Sequence, residues 1–324
     1  YQNLTCRERA NAAYTLQPSG YVALAGDATL ANGRVAALQI NDNRYNVLNF
    51  GVLPDGSDSV LILQAIYDQA FSEGVIYKTD IPARNFNTEL VGAPIIYYPS
   101  GIYGISDEII IPFGVKTICD RGAIIKALTP GQRMIRTITR EVSFYSGLRG
   151  IYWDGGIIAG DGKARRGWMI ETNLSGCYIR GMKVTGCQHV NTARTVSVTA
   201  LADATTITLS DASGLEYGDV LHHKATGQFF MAEIVTGNVL TIPKLAIEIP
   251  ASDPLEHVSV GFQAQSGQEF SLEVDSERNT LGGYFGSSQI GSPSNSLTIN
   301  HFFSTWNDYG VVLNNLTISR WIGG

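Results

Sequence analysis

The segment at residues 49–58 is Asn49-Phe50-Gly51-Val52-Leu53-Pro54-Asp55-Gly56-Ser57-Asp58, and an amphipathic segment follows it. Asp55-Gly56 predicts a tight turn, because glycine tolerates positive φ and aspartate can bond the backbone that follows it. Ser57 or Asp58 can then cap a helix. The apolar positions that recur at helical spacing are Val60, Leu63, Tyr67 and Ala70. The pattern predicts a short helix that ends near Gly74 and needs a partner for its apolar stripe.

Beyond this helix the periodicity changes to short β-branched runs separated by glycine-containing turns. The runs are Ile95-Ile96-Tyr97, Ile109-Ile110-Ile111, residues 115–118 and Ile124-Ile125. The intervening turns contain Pro-Ser-Gly, Pro-Phe-Gly and Asp-Arg-Gly. Short strands joined by such turns indicate a β-solenoid, in which the predicted helix covers the first rung.

The same pattern continues along the chain. Residues 150–187 hold two stretches that alternate apolar and polar side chains and break at glycine, as a strand does where a solenoid rung turns a corner. Residues 295–302 recur as residues 314–321, and the offset from Leu297 to Leu316 matches one short solenoid turn. This repetition predicts that the two segments stack as neighbouring rungs, with Leu297 aligned above Leu316.

Residues 49–187 resemble the pectate-lyase-like superfamily, in particular the tailspikes and capsule depolymerases of bacteriophages. Those proteins open their β-helix with a segment similar to residues 49–58 and a turn similar to Tyr98-Pro99-Ser100-Gly101-Ile102-Tyr103. The resemblance implies an all-β fold, a right-handed parallel β-helix with a short N-terminal capping helix. The family passes quickly from the helix to the turn, whereas here residues 75–94 intervene. Within them, residues 80–87 are predicted to form an inserted loop.

These patterns divide the chain into four parts. Residues 1–48 are predicted to be a small N-terminal adaptor or neck, and residues 49–194 to be the first part of the parallel β-helix. Residues 195–252 contain close hairpin signals and are predicted to form a small inserted antiparallel β-barrel module. Residues 253–324 are predicted to continue the β-helix. The adjacent His222-His223 in the insert is predicted to be structural, because neighbours on a strand point to opposite faces.

Composition excludes several classes of protein. The 324 residues include 35 glycines but only 16% charged residues, as expected for many short strands joined by tight turns. The net charge of -6 argues against nucleic-acid binding, which needs clustered lysine and arginine. No apolar run is long enough to insert across a membrane. Because no metal-ligand spacing is present, we predict no metal and no cofactor; the four cysteines are Cys6, Cys119, Cys177 and Cys187.

The strongest acidic constellation is Glu273, Asp275 and Glu277. On a strand these three side chains point outward together, while Leu272 and Val274 point inward. Residues two apart on a strand lie roughly 6.5 to 7 Å apart, within the separation that inverting glycosidases use to hold a water between acid and base. We therefore predict Glu273 and Asp275 as catalytic and Glu277 as substrate-binding. An ordinary solvated acidic strand face is the competing interpretation.

Two further clusters combine acidic and aromatic residues. Asp308 is predicted as another catalytic carboxylate beside Trp306 and Tyr309, whose rings can stack on sugars. The same residues could equally form a packed turn between rungs. Trp153 and Glu171 are predicted to form a further substrate-binding surface.

The resemblance implies a homotrimeric phage tailspike, a virion component that attaches to the phage tail or baseplate through its N-terminal segment. We predict that the protein binds and depolymerises a bacterial surface polysaccharide, either capsule or O-antigen, by endo-acting glycosidic hydrolysis. A non-catalytic β-helical receptor-binding or structural tail protein is the alternative. A polysaccharide lyase is a further alternative, but the compact acidic cluster that would bind its calcium is not evident in the sequence.

Overall fold

The computed structural model describes residues 3–6, 12–40, 42–79, 87–138, 147–149, 151–171, 174–175, 177–264, 267–268, 270–286, 294–314 and 316–321. Within these ranges the chain forms one α-helix, one short 3-10 helix and strands that assemble into six sheets. Three of the sheets consist mainly of parallel strands, which gives the chain an all-β, β-solenoid-like fold. The loop predicted at residues 80–87 lies outside the described residues, apart from its last position.

The N-terminal segment forms a small antiparallel sheet. Its strands are β1 (Asn3–Cys6), β2 (Ala12–Leu16), β3 (Ala28–Thr29) and β4 (Val35–Leu38), in the order β1-β2-β4-β3. Ala12, Tyr14 and Ala36 form a buried cluster within it. The hydroxyl of Tyr14 donates a hydrogen bond to the backbone oxygen of Asn49 at 3.3 Å, which ties this sheet to the start of the solenoid.

Short strands make up the first part of the solenoid. They are β5 (Arg44–Asn46), β6 (Asp55–Asp58), β7 (Val75–Thr79), β8 (Asn87–Val91), β9 (Ile95–Tyr98), β10 (Gly101–Ile105), β11 (Ile109–Pro112), β12 (Lys116–Cys119), β13 (Ala123–Ala127), β14 (Arg133–Ile138), β15 (Gly147–Arg149), β16 (Tyr152–Asp154), β17 (Ile157–Ala159), β18 (Arg166–Ile170), β19 (Leu174–Ser175) and β20 (Tyr178–Thr185). A 3-10 helix (Val47–Phe50) follows β5.

The α-helix, α1 (Val60–Glu73), packs against β9 and β11 at the start of the solenoid. The tight turn predicted before it is instead the short strand β6, whose irregular pairing with β10 keeps the chain extended; the predicted bond is present, since the backbone N–H of Ser57 donates to the Asp55 carboxylate at 2.9 Å, and Gly56 has a φ of 86°. The Asp58 carboxylate accepts a hydrogen bond from the backbone N–H of Val60 at 3.2 Å. The predicted helix is confirmed, and its buried stripe consists of Val60, Leu63, Ile66, Tyr67 and Ala70.

The insert consists of antiparallel strands with a core of its own. They are β21 (Arg194–Thr195), β22 (Thr206–Thr208), β23 (Val220–His223), β24 (Gln228–Met231), β25 (Ile234–Thr236), β26 (Val239–Thr241) and β27 (Pro254–Val258). They form two sheets, in the orders β21-β27-β23-β24 and β22-β26-β25. Since β27 pairs antiparallel with β21 and β23, the antiparallel part extends beyond Ser252, the predicted end of the insert.

The solenoid then resumes with strands up to the C-terminal end of the chain. They are β28 (Val260–Ala264), β29 (Gly267–Gln268), β30 (Phe270–Glu277), β31 (Leu281–Gly286), β32 (Ser294–Thr305), β33 (Tyr309–Asn314) and β34 (Leu316–Trp321). The two repeated segments, β32 and β34, pair in parallel as predicted. Their register differs from the prediction, because irregularities in the ladder place Leu297 opposite Ile318 rather than Leu316.

Parallel β-ladders connect successive rungs within each of the three mainly parallel sheets. The twelve-stranded sheet has the order β5-β9-β12-β16-β20-β17-β13-β10-β6, and β30, β32 and β34 extend it from β20. The six-stranded sheet has the order β11-β14-β18-β28-β31-β33, and the five-stranded sheet β29-β19-β15-β8-β7. Because β18 pairs with β28 and β20 with β30, the ladders continue directly across the insert.

A column of aromatic rings fills part of the solenoid interior. The centroids of Tyr98 and Trp153 are 6.3 Å apart, those of Trp153 and Trp168 4.8 Å, and those of Trp168 and Phe262 6.3 Å. All four side chains are at most 1% exposed. Each rung therefore contributes large apolar surface to one continuous core, and that burial is the main force stabilising the stack.

The insert packs firmly on the six-stranded sheet. Apolar side chains from both parts form one buried cluster, whose members are Val220, Met231, Val258, Val260, Leu281 and Tyr284. Beside it lies Arg166, 2% exposed, which donates to the backbone oxygen of Tyr217 in the insert at 3.3 Å and pairs with Glu108 at 3.2 Å. Apolar surface of both parts and a paired charge are therefore buried together at this contact.

Candidate functional site

The predicted acidic strand, β30, belongs to the twelve-stranded sheet, and its acidic side chains lie on the outer face of that sheet. Leu272 and Val274 are 0% exposed, whereas Glu273 is half-buried and Asp275 is exposed. The predicted alternation is therefore confirmed: the apolar residues enter the core, and the two carboxylates face outward. Because β30 lies between β20 and β32, side chains of both neighbours surround these carboxylates.

A β-bulge lies beside Glu273 on strand β20. The register between β20 and β30 shifts between Ile179 and Met182, so Arg180 and Gly181 both oppose Glu273. Gly181 has a φ of 57°, a left-handed conformation that glycine adopts without steric cost. Bulges interrupt the hydrogen-bond ladder and redirect side chains, and they are over-represented next to active sites.

A second irregularity lies on the other side of Glu273, on strand β32. Leu272 pairs with Ile299 and Glu273 with His301, which leaves Asn300 as one extra residue on β32. The ladder is thus disturbed on both sides of the same glutamate. Two flanking bulges distinguish Glu273 from an ordinary acidic residue on a regular strand face.

A surface pocket of about 240 Å³ lies at this position, and the residues that line it are Gly181, Met182, Glu273, Asp275 and His301. His301 Nε2 lies 3.1 Å from Asp275 Oδ1, and the two side chains are about equally exposed. The rings of His301 and Phe303 are parallel within 2°, with centroids 5.8 Å apart. The pocket therefore combines two carboxylates, an imidazole and an aromatic ring at its edge.

The cations on this face engage carboxylates other than Glu273. Glu277 forms an ion pair with Lys183, and Arg180 pairs with Asp154 at 2.9 Å. Within the described part of the chain, no cationic group lies within ion-pair distance of Glu273. Glu277, predicted to bind substrate, is thus already neutralised by a lysine, whereas Glu273 remains available to a ligand.

The predicted cluster around Asp308 lies on the turn after β32. Trp306 is 73% exposed and the guanidinium of Arg278 lies over its ring, 5.2 Å from the centroid. Asp308 is exposed, and its backbone N–H donates to the oxygen of Asn279 at 3.3 Å. Trp306 and Asp308 are therefore accessible at the rung corner next to β30.

Tyr309 points away from this corner, towards the insert. Its hydroxyl donates to the Glu256 carboxylate at 3.3 Å, and its ring packs edge-on against His222 and Phe229. These contacts join β33 to the insert. The structure does not bring Tyr309 together with Glu273 and Asp275, which lie on another sheet.

The predicted surface of Trp153 and Glu171 does not exist as an exposed sugar platform. Trp153 is 1% exposed, and its indole N–H donates to the backbone oxygen of Gly155 at 2.8 Å. The prediction for Trp153 is wrong because alternation on β16 directs the ring into the core, between Tyr152 and Asp154, which face outward. Glu171 lies beside β18 and pairs with Arg136 at 3.1 Å, and burial raises the pKa of its carboxyl above the ordinary value.

The two adjacent histidines of the insert are buried and hydrogen-bonded. His222 Nδ1 lies 3.2 Å from Glu256 Oε2, and its ring stacks on Phe229 with centroids 4.0 Å apart. His223 contacts Thr226 at 2.8 Å and Asp253 at 3.0 Å. Among the described residues, no group of three or more His, Cys, Asp or Glu side chains is arranged to hold a metal ion.

Sequence reasoning missed His301 and the bulge at Arg180-Gly181. An isolated glycine inside a strand pattern is a signal for a bulge, so Gly181 carried usable information. No such signal marks His301, because it lies 26 residues after Asp275 in the sequence and only the pairing of the two strands brings the side chains together. Within the described ranges, no helix combines the length and apolar character needed to cross a bilayer.

The chain is similar to solved structures of phage proteins, at low sequence identity. ORF18 of Geobacillus virus E2 is 13% identical, with a TM-score of 0.40 over 94% of this chain and 47% of that one. The tailspike protein gp49 of Pseudomonas phage LKA1 is 14% identical, with a TM-score of 0.21 over 80% of this chain and 40% of that one. The Gp54 tailspike of Acinetobacter baumannii bacteriophage AP22, in complex with A. baumannii capsular saccharide, is 11% identical, with a TM-score of 0.24 over 82% of this chain and 44% of that one.

This chain thus spans less than half the length of each of these three proteins. No protein-family model and no curated protein matches the sequence.

Proposed function

We propose that this protein is a tailspike-like component of a phage tail that binds a bacterial surface polysaccharide on the outer face of the twelve-stranded sheet and hydrolyses it. The observation that carries the proposal is the pair of outward carboxylates, Glu273 and Asp275, at a surface pocket where bulges open the ladder on both sides of Glu273. Regular strand faces rarely combine these features.

The same face offers contacts suited to a sugar polymer. Tyr178 is 52% exposed and Phe303 is 43% exposed, and their rings provide apolar surface beside polar groups. Tyr152 lies opposite Tyr178 in the ladder, and its hydroxyl donates to Asp154 at 3.2 Å. Rings interspersed with charged and hydroxyl groups match the mixed character of a saccharide, which has apolar ring faces and hydroxyl edges.

Asp275 suits the role of general base. An ionised carboxylate can only accept hydrogen bonds, so the 3.1 Å contact requires the proton on Nε2 of His301, which holds the carboxylate ready to activate a water. Glu273, two residues away on the same strand, suits the role of general acid that protonates the leaving oxygen. Residues two apart on a strand are separated by roughly 6.5 to 7 Å at the backbone, a spacing compatible with a water between the two carboxyl groups, as inversion of configuration requires.

The proposal extends to the architecture around the site. We propose that the ladders close into a right-handed parallel β-helix, since connections between parallel strands are right-handed in nearly all proteins. Residues 1–48 would act as the neck that attaches to the tail or baseplate, and residues 195–252 as an insert between the two parts of the β-helix, residues 49–194 and 253–324. Three copies would assemble side by side in the virion.

A non-catalytic receptor-binding protein is a second candidate, and one observation favours it. The side chains of Asp275 and His301 are 57% and 50% exposed, so water is not excluded from the pocket as it is in many active sites. Binding without cleavage would need the same rings and charges but no acid and base.

Incubation with an array of purified capsular polysaccharides and lipopolysaccharides tests the proposal. We expect one glycan to bind and to release oligosaccharides with a new reducing end. Binding without products would identify the non-catalytic alternative, and products with an unsaturated terminal sugar would identify a lyase. If no glycan binds, the proposed function is wrong.

A further inference from the structure

A second polar pocket lies where the N-terminal segment meets the solenoid. Its volume is about 190 Å³, and the residues that line it are Gln39, Asp42, Arg44, Asn46, Asn49 and Tyr97. They come from the chain after β4, from β5, from the 3-10 helix and from β9. No sequence motif drew attention to this pocket, because its walls are brought together only by the fold.

An arginine stacked on a tyrosine forms one wall of this junction pocket. The guanidinium carbon of Arg44 lies 3.5 Å from the ring centroid of Tyr97, and the tyrosine hydroxyl donates to Asp120 at 2.9 Å, which fixes the ring. In the described part of the chain, no carboxylate lies within ion-pair distance of Arg44. A guanidinium has five N–H donors, so Arg44 over the Tyr97 ring, even with one of them directed to the tyrosine hydroxyl, has donors left for a ligand.

The other walls supply both donors and acceptors. The carboxylate of Asp42 is exposed at the pocket, and Asn46 uses its side-chain oxygen to accept from the backbone N–H of Leu48 at 3.1 Å, which leaves its NH2 group for another acceptor. Sugar hydroxyls act as donors and acceptors at once, so a mixed set of this kind fits them. One cation, Arg44, and one anion, Asp42, line the same pocket, so their charges balance and the pocket favours a neutral sugar unit.

The junction pocket and the Glu273 pocket lie on the same outer column of the twelve-stranded sheet. Tyr97 opposes Ile118, Ile118 opposes Asp154, and Asp154 opposes Arg180, which in turn opposes Glu273. These residues belong to β9, β12, β16, β20 and β30, so four strand spacings separate the two pockets. At the usual distance between strands this amounts to about 19 Å.

We infer that the junction pocket is a distal saccharide subsite, which binds a neutral sugar unit of the same polymer that reaches Glu273 and Asp275. The polymer lies across the strands, along the direction in which the rungs stack. This inference rests on the proposed function. It gives the N-terminal segment a part in ligand binding in addition to any role in attachment.

Binding as a function of chain length tests the subsite. The glycan that binds on the array is cut into fragments of increasing length by partial acid hydrolysis, and their affinities are measured by calorimetry for the parent and two variants. Arg44→Ala removes the stacked donor. Asp42→Asn removes a charge but keeps a residue that tolerates the left-handed conformation at this position, where φ is 57°. The matched control is Arg34→Ala, an exposed arginine on the same N-terminal segment.

We expect Arg44→Ala to weaken binding of fragments long enough to span the two pockets by about tenfold, the loss of one or two good hydrogen bonds. Asp42→Asn should weaken the same fragments less, because its amide oxygen still accepts, and both variants should leave shorter fragments unaffected. Arg34→Ala should match the parent at every length. Parental affinity of Arg44→Ala for the long fragments would overturn the inference while leaving the proposed function intact. Equal weakening at all lengths would also overturn it, since a distal subsite cannot act on a fragment that does not reach it. If no glycan binds the parent, the proposed function and the distal subsite are both wrong.

Discussion

Asn307 accepts a hydrogen bond at its side-chain oxygen from the backbone N–H of Asn279, at 2.7 Å. The two asparagines occupy equivalent corners of adjacent rungs, and each follows a residue in the left-handed conformation, Arg278 with a φ of 53° and Trp306 with a φ of 52°. Stacked asparagines of this kind satisfy backbone groups that a sharp corner would otherwise leave without partners.

The first prediction concerns the buried member of this pair. Asn279 is 0% exposed; its side chain accepts from the backbone N–H of Cys187 at 2.8 Å and donates to the backbone oxygen of Val184 at 3.2 Å. Asn279→Ala leaves these groups buried and unpaired, so we expect a loss of about 3 kcal/mol in the free energy of unfolding, measured by chemical denaturation. The control Asn32→Ala, at an exposed turn, should cost under about 1 kcal/mol. Similar losses in the two variants would contradict the role of the corner asparagine.

The second prediction tests the capping role of α1 with two leucines of the same helix. Leu63 is 0% exposed and Leu61 is 83% exposed. Leu63→Asp places an unpaired charge between helix and solenoid, at a cost of several kcal/mol, and should lower the melting temperature sharply. Leu61→Asp should leave the melting temperature near that of the parent. An unchanged melting temperature in Leu63→Asp would show that the helix does not cap the first rung.

The third prediction concerns the acid and base. Glu273→Gln and Asp275→Asn should each slow glycan cleavage by about a hundredfold or more, the usual contribution of one proton-transfer group, with binding retained. Because both side chains face outward, the melting temperature should stay at the parental value. The control Glu248→Gln, an exposed residue of the insert, should cleave normally. Full activity in both site variants would exclude this pair and direct attention to Asp308.

The fourth prediction concerns the buried carboxylate at the contact with the insert. Glu108 has 6% of its side chain exposed and faces Arg136 at 3.0 Å and Arg166 at 3.2 Å. Glu108→Gln leaves these cations without their shared partner, so we expect a loss of roughly 3 kcal/mol or more, measured by chemical denaturation against Glu248→Gln. A loss below about 0.5 kcal/mol would mean that the arginines find other partners.

The fifth prediction is an acid-sensitive loss of stability. Burial lowers the pKa of His222 below its ordinary value of 6.5, although its contact with Glu256 opposes this shift, and burial lowers the pKa of His189 likewise. The unfolded chain therefore binds these protons at a higher pH than the folded chain does. Stability is present above pH 6.5 and is lost as the pH falls through the folded pKa values, so the melting temperature should drop in the pH window below 6.5.

Two variants test the contribution of His222 to this dependence of the melting temperature on pH. His222→Gln removes the titrating group, so its melting temperature should depend less on pH across that window. Phe229→Leu removes the ring stacked on the imidazole and exposes part of it, so this variant should melt lower and its melting temperature should also depend less on pH. If the melting temperature of His222→Gln depended on pH as strongly as that of the parent, other groups would govern the acid sensitivity.

Local patterns predicted much of the fold because the relevant interactions are local. The helix that follows Asp55-Gly56 and the alternation of Leu272 and Val274 depend on spacing within a few residues. The prediction for Trp153 failed because an aromatic residue combined with acidic residues resembles a sugar-binding surface, whereas strand alternation buries this ring.

The site itself is defined by register, which no local pattern contains. Asp275 and His301 meet because β30 and β32 pair in one particular alignment, and Glu273 is exceptional only because its neighbours on both sides contain an extra residue. The junction pocket likewise depends on how the N-terminal segment lies against β5 and β9. Such placements follow from long-range packing.

The insert also has a kinetic consequence. The hydrogen bond between Asn279 and Cys187 joins residues 92 positions apart, and forming it from an open chain would require closing the whole intervening loop. Antiparallel pairing of Arg194 with Leu255 brings the two ends of the insert together first. Once the insert has folded, the next rung needs only a short closure to reach its partner. We therefore expect chains in which the insert forms slowly to accumulate with the N-terminal rungs stacked and the C-terminal rungs still unpaired.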